Sequence, residues 1–211
     1  MKKILFLMFA LVLSVGLVAC ASSDSESDKS ADATETDSGN DKAKDEEKEK
    51  EDKSENENVQ ESEMGKMTIA YKNKELDENA ESGPMKLNVN AIQVADFEIA
   101  EDYRDMFEGK EKATVIVFKM KAENTSDDTI GFYPDQATIT TDAGDQSDAD
   151  ILLSDEVGGD FIGKVKKEGQ VFFLVDTPSK DISKVNLIVD GAHDENFEQV
   201  GEQIKKEFPV K

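Results

Sequence analysis

The chain has 211 residues, with 48 Asp and Glu against 25 Lys and Arg, and its formal net charge is −23 at pH 7. Such an acidic chain lacks the basic surface that nucleic-acid binding requires, so we expect no nucleic-acid partner. It contains one cysteine, one histidine and no tryptophan. An internal disulfide is therefore impossible, and zinc or iron–sulfur sites, which need several Cys or His ligands, are effectively excluded.

Residues 1–20 have the pattern of a bacterial lipoprotein signal peptide. Lys2 and Lys3 precede an apolar run at 4–18, and the sequence Leu-Val-Ala-Cys at 17–20 matches a lipobox. The apolar run is shorter than the roughly 20 residues of a transmembrane helix, and an ordinary secretory signal ends in an A-x-A-like site without a cysteine. We expect Cys20 to carry a diacylglyceryl group and to anchor the protein at the extracytoplasmic face of the cell membrane.

Residues 21–62 are acidic and nearly free of large apolar side chains. They hold 16 Asp and Glu against 6 Lys, and Val59 is their only large apolar residue. Such a segment cannot bury enough surface to offset the entropy of ordering it, so we expect a disordered linker. A transient helix over the Lys/Glu-rich residues 41–57 is the alternative, although isolated helices of this length are marginal.

Residues 63–211 are long enough for one domain, and their apolar side chains alternate as in half-buried strands. The predicted strands are 67–71, 86–94, 114–122, 129–133, 137–141, 151–153, 171–175 and 185–189. The strand at 114–122 is apolar on both faces, which places it in the centre of a sheet. In 86–94 the apolar face changes at Ile92, which predicts a bulge.

Helix is scarce in this domain. One or two helical turns are predicted at 101–108. Residues 195–207 place Phe197, Val200 and Ile204 at roughly helical spacing with Phe208, which predicts a short amphipathic C-terminal helix.

Three short motifs resemble those of a known family. Asn124, Thr125 and Ser126 follow an apolar strand, the segment 138–144 joins a strand to an Asp-x-Gly turn, and 167–173 places a glycine before an apolar strand. Together they are similar to the telokin-like, immunoglobulin-like lipoprotein domains of Gram-positive bacteria, over residues 85–189. The resemblance implies an immunoglobulin-like β-sandwich of seven to nine strands, and it brings no catalytic residues. The segment 96–112 and the extension after 190 depart from the family pattern.

Catalytic motifs are absent from the sequence. No G-x-S-x-G, HExxH, P-loop or dinucleotide motif is present, and the only histidine, His193, lies in a polar segment typical of a surface turn. Paired carboxylates are too abundant to indicate a glycosidase. We expect no enzymatic activity and no cofactor.

Two clusters are candidate binding sites. Asp142, Asp145, Asp148 and Asp150 surround a glycine turn and are a candidate calcium site, with a solvated acidic hairpin as the alternative. The second cluster consists of four large apolar or aromatic residues within the segment 96–112. Its members are Phe97, Tyr103, Met106 and Phe107.

The apolar cluster has two interpretations, a cap on the core or a loop that binds a partner. Our leading expectation for the whole protein is a non-enzymatic, membrane-anchored lipoprotein that binds an envelope protein or cell-wall component. The alternatives are a structural or stress-related envelope protein without a dedicated ligand, and a calcium-dependent adhesion module.

Overall fold

A computed structural model describes residues 58–211, which form an all-β domain, as predicted. In this part of the chain the strands are β1 Val59–Ser62, β2 Gly65–Asn73, β3 Glu78–Ser82, β4 Met85–Ile99, β5 Lys112–Asn124, β6 Thr129–Phe132, β7 Thr138–Thr141, β8 Gln146–Asp148, β9 Gly159–Ile162, β10 Lys166–Val175, β11 Lys184–Val189 and β12 Ile204–Pro209. Short 3-10 helices occupy Glu101–Phe107, Pro134–Gln136 and Ser179–Asp181.

The larger sheet is built around the long antiparallel pair β4 and β5. Its strand order is β1-β2-β4-β5-β10, and β3 pairs with the first half of β4 on the edge that β2 occupies along the second half. β5 lies between β4 and β10 and is buried on both faces, which confirms the central position predicted for it.

The smaller sheet has the order β12-β11-β7-β8, and β6 and β9 form a separate two-stranded sheet. The main core lies between these sheets and one face of the larger sheet. Phe118 on β5 contacts Phe173 on β10 edge-on, with ring centroids 6.0 Å apart, and it contacts Phe208 on β12 at 5.1 Å. Aromatic pairs of this geometry add stability beyond the area they bury. The two layers therefore form a β-sandwich.

A bulge in β4 gives the larger sheet a second apolar face. The pairing of β4 with β5 shifts between Val89 and Ala91, where the sequence predicts a bulge. Since a one-residue shift reverses the alternation of side chains, Ile92 continues the core face begun by Val89. Phe97 then lies on the opposite face of the sheet, which the first 3-10 helix covers.

The corner after β5 is held by Asn124, which is buried. Its side-chain nitrogen donates to the carbonyl oxygens of Asp128 at 2.8 Å and Phe161 at 3.2 Å. Its side-chain oxygen accepts from the amide and the hydroxyl of Ser126. All hydrogen-bonding groups of this buried amide are thus engaged, which gives the Asn-Thr-Ser motif a structural role.

The predicted C-terminal helix is wrong. The chain makes a turn in which the Asp194 carboxylate accepts the amides of Asn196 and Glu198, and Phe197 has a φ of 62°, outside the helical range. The chain then forms β12, where Ile204 and Phe208 are both buried. A spacing of four residues fits both a helix and a strand, so these two positions could not distinguish them.

The predicted strand at 151–153 is also wrong. Ile151 and Leu152 are 72% and 73% exposed and lie in a turn. The side-chain oxygen of Asp150 accepts the amides of Leu152 and Leu153, a local arrangement that competes with strand pairing.

The folded domain begins earlier than predicted. β1 lies inside the segment 21–62 that the sequence assigned to the linker, and it pairs with β2 in a hairpin. Val59 is part of this strand. The signal peptide, Cys20 and the rest of the predicted linker, up to residue 57, lie outside the described residues.

Candidate functional site

The segment between β4 and β5 and the segment around β8 enclose a groove of about 390 Å³ beside the end of β10. Its lining comprises Met106, Phe107, Glu108, Lys110, Asp145, Gln146, Ser147, Asp148, Asp150, Leu174, Val175 and Asp176. The groove therefore brings together residues from both clusters that the sequence predicted as binding sites, although they are about 40 residues apart in the chain.

The apolar cluster of the segment 96–112 is divided between core and surface. Phe97 and Phe107 are 4% and 5% exposed and pack edge to face at 5.6 Å, which anchors the first 3-10 helix on the second face of the larger sheet. Tyr103 donates a long hydrogen bond of 3.4 Å to Glu63. Met106 is 58% exposed at the groove. The interpretation as a core cap thus fits the two phenylalanines, and Met106 is the member open to a partner.

The 3-10 helix ends in a tight turn that sets one wall of the groove. Glu108 has a φ of 56° and Gly109 a φ of 78°, and the Gly109 amide donates to the carbonyl oxygen of Arg104 at 2.8 Å. Consecutive left-handed residues turn the chain back toward β5. This turn places Glu108 and Lys110 beside the end of β10.

The four aspartates of the calcium hypothesis do not converge. The Asp142 carboxylate accepts the amides of Ser183 and Lys184 at 2.9 and 3.1 Å, at the start of β11. These two bonds lower the pKa of Asp142. Asp150 instead accepts the amides of its own turn. The first and last aspartates of the set thus point to different parts of the fold.

The two central aspartates are engaged by hydroxyl groups. Asp145 accepts from Thr141 at 2.7 Å and from Thr177 at 2.9 Å, and Asp148 accepts from Thr138 at 2.6 Å. Within residues 58–211, no group of three or more His, Cys, Asp or Glu side chains is arranged to hold a metal ion. Asp145 and Asp148 thus each accept a hydroxyl group of β7, within the hairpin of β7 and β8.

The groove carries a strongly negative charge. Five carboxylates line it, those of Glu108, Asp145, Asp148, Asp150 and Asp176, together with the single ammonium of Lys110. Lys110 lies 2.8 Å from Asp176 and 3.7 Å from Glu108. The hydrogen bond to Asp176 raises the pKa of Lys110 and pairs its ammonium with that carboxylate. The remaining charge of the groove is negative.

At the groove, part of the edge of β10 has backbone groups that no neighbouring strand pairs with. The Phe172 carbonyl oxygen accepts the Asp150 amide at 2.8 Å, and the Gln170 carbonyl oxygen accepts the Asp155 amide. Both residues therefore direct their backbone groups away from β5. Because backbone groups alternate in direction along a strand, Leu174 presents its amide and carbonyl to the same side, within the groove.

The only histidine in the chain is part of an aromatic stack rather than a free surface side chain. The His193 ring lies between Tyr133, at 5.8 Å, and Phe197, at 5.2 Å, and Phe197 is 81% exposed. Burial and the neighbouring Asp160 raise the pKa of Tyr133. In the described part of the chain, the hydrogen bond of the imidazole is to the Asp194 carbonyl oxygen at 3.0 Å, and none joins it to a hydroxyl nucleophile.

The chain belongs to a family described as a domain of unknown function (DUF5068), whose sequence profile matches residues 43–174. A curated relative, the SPbeta prophage-derived uncharacterized lipoprotein YonS of Bacillus subtilis (strain 168), is 27% identical over 139 residues. This match covers 64% of the present chain and 62% of the relative, so the chain spans less than two thirds of that protein's length.

Solved structures with the same fold include a functionally unknown protein from Listeria monocytogenes EGD-e. It has a TM-score of 0.55 and 14% identity, and the match covers 70% of this chain and 89% of the other. The yjhA protein from Bacillus subtilis has a TM-score of 0.45 and 14% identity, over 65% of this chain and 99% of the other. At this level of identity the first likeness supports the fold alone. The structure of residues 58–211 contains no helix long and apolar enough to cross a membrane.

Proposed function

We propose that this protein is a lipid-anchored, extracytoplasmic lipoprotein whose β-sandwich binds an envelope protein or cell-wall component through the acidic groove. The anchor is supported by the lipobox ending at Cys20 and by the relative named as a lipoprotein. Binding is supported by one observation above all, the convergence of exposed Met106, an open strand edge and five carboxylates in one concave surface. Concave surfaces that combine apolar and polar groups are typical ligand sites.

The proposed activity is binding without catalysis. The groove is lined by carboxylates, an amide, one paired ammonium and apolar groups, together with the hydroxyl of Ser147. Nucleophilic catalysis would require a base beside that hydroxyl. Ser147 instead donates to the Asp148 carbonyl oxygen at 3.2 Å, and the only imidazole of the chain is held in the aromatic stack.

A photo-crosslinking amino acid at Met106 tests the binding role in living cells with the full, membrane-anchored chain. We expect it to capture one reproducible partner. The matched control carries the same amino acid at Lys205, an exposed position on β12 in the smaller sheet, and should not capture that partner. Identical random capture at both positions would contradict the proposal and favour a structural role without a dedicated ligand.

The anchor is tested separately by Cys20→Ala. This variant should lose the lipid and leave the membrane fraction, while its folded domain melts at the wild-type temperature. Retention in the membrane fraction without the lipid would show that another part of the chain provides the attachment.

A further inference from the structure

We infer that the groove accepts an extended, lysine- or arginine-containing polypeptide segment, which pairs with the free edge of β10 as an added strand. This inference rests on the proposed function, since it names the chemistry of the partner for the same surface. Addition of a strand to a sheet edge supplies affinity through backbone hydrogen bonds and specificity through alternate side chains.

The first support is the way in which β8 and β10 separate. The Asp150 amide bonds to the Phe172 carbonyl oxygen at 2.8 Å, in the manner of an antiparallel pair. Continued in the same register, this pairing would place Asp148 opposite Leu174. No hydrogen bond joins these two residues in the described chain, and both of them line the groove. The strands therefore part after a single bond.

On both walls of the groove, backbone groups point away from the strand with which that wall is already paired. In β8, the carbonyl of Asp145 and the amide of Ala149 face β7, so the intervening Gln146 and Asp148 direct their backbone groups away from β7. On the other wall, Leu174 faces away from β5. An extended segment in the groove thus meets the unpaired amide and carbonyl of Leu174 at the edge of β10, while on the side of β8 the Asp148 carbonyl oxygen already accepts from Ser147 at 3.2 Å.

The second support is charge complementarity. The groove has five carboxylates against one ammonium, and that ammonium is already paired with Asp176. A cationic segment gains from this field, whereas an acidic segment is repelled. Exposed Met106 adds a flexible apolar surface that adapts to an alternate side chain of the incoming strand.

The test uses the purified full chain in detergent and capped octapeptides that alternate lysine and valine. We expect the Lys/Val peptide to bind and the Glu/Val peptide not to bind. Methylation of the backbone nitrogens at alternate residues preserves charge but removes the donors on one edge. It should weaken binding by about tenfold or more, as expected when backbone hydrogen bonds are lost.

Two double variants test how much the carboxylates of the groove contribute to peptide binding. Glu108→Gln with Asp148→Asn should weaken binding of the Lys/Val peptide by about fivefold at low salt, because both carboxylates line the groove. Glu81→Gln with Glu202→Gln is the matched control. It changes the net charge equally at two exposed positions outside the groove, and binding should stay at the wild-type level.

The outcomes separate the inference from the proposed function. Equal binding of methylated and unmethylated peptides would overturn the added strand, even where crosslinking at Met106 captures a partner. Equal weakening by both double variants would overturn the assignment of the charge to the groove. Specific peptide binding without a reproducible crosslinked partner would support the groove chemistry and overturn the envelope-binding role.

Discussion

The Asp150 amide donates a 2.8 Å hydrogen bond to the Phe172 carbonyl oxygen, and in residues 58–211 this is the last backbone bond before β8 and β10 diverge. The side chain of Asp150 meanwhile holds the turn that follows. The backbone of Asp150 therefore ties its segment to β10 beside the groove, and its side chain fixes the turn at Leu152 and Leu153.

Asp96 should contribute strongly to stability because it joins β4 to the 3-10 helix Ser179–Asp181. Its carboxylate accepts the Ser179 amide at 3.0 Å and the Ser179 hydroxyl at 2.7 Å, and Ser179 is buried. Asp96→Ala leaves both donors without an acceptor and should lower the free energy of unfolding in urea by about 2–3 kcal/mol.

The conservative variant and a neighbour serve as controls for this prediction. Asp96→Asn keeps one acceptor oxygen and should lose less stability than Asp96→Ala. Glu98→Ala, two residues along β4 on an exposed side chain, should leave the urea midpoint nearly unchanged. Equal effects of Asp96→Ala and Glu98→Ala would show that the contact with Ser179 contributes little.

The acid limb of the stability curve should depend on Asp142. The amides of Ser183 and Lys184 stabilise its charged form and hold its pKa below the ordinary value. A lowered pKa in the folded state gives stability that is present above the unfolded value, about 3.9, and is lost as the pH falls through the folded value. Stability of Asp142→Asn should therefore fall less steeply with acid below about pH 4.

Urea unfolding at a series of pH values measures this effect. Above about pH 5 the carboxyl is ionised in both states, so the difference between Asp142→Asn and the wild type should be constant there. A difference that changes between neutral pH and that limit would assign the effect to another group.

Calcium should not stabilise the domain. The four aspartates around the turn are engaged by threonine hydroxyls and backbone amides, and they do not share a common centre. We expect the same melting temperature in millimolar calcium as in sodium at the same ionic strength. A rise specific to calcium, abolished by Asp145→Asn, would restore the calcium hypothesis.

Gly131 should be intolerant of a side chain. A Cβ atom at this position would lie 2.2 Å from the Cε1 atom of His193, whose ring is confined between Tyr133 and Phe197. Gly131→Ala should lower the free energy of unfolding by about 1–3 kcal/mol through overpacking. In the background of His193→Ala the same substitution should cost less, and additive effects in this cycle would contradict the contact.

Most of the sheet structure was predictable because it depends on local alternation. β4 and β5 carry long alternating runs, and the bulge near Asn90 appears in the sequence as a change of face. β3 and β8 are short and polar, so no alternation marks them. At the C-terminus, the four-residue spacing of Ile204 and Phe208 is common to helix and strand.

The two halves of the groove were predictable, but their meeting was not. The sequence marks Met106 as part of an apolar cluster and marks the acidic turn around Asp145, but it does not show that Met106 is exposed. Their proximity depends on the pairing of β5 with β10 and on the divergence of β8 from β10, which are long-range relationships. The open edge at Leu174 has no local signal, because an apolar residue in a strand gives no indication of which backbone groups remain unpaired.

The positions of β1 and β10 at opposite edges of the larger sheet determine how the domain would respond to force. A pull between an occupied groove and Asn58, where the described chain begins, is directed across the strands rather than along them. Hydrogen bonds loaded in this direction break one after another, starting with the bond from the Ile69 amide to the Asn58 carbonyl oxygen. The four residues of β1 would peel away before the aromatic core is exposed, so a partner that pulls on the groove would lengthen the connection without unfolding the domain.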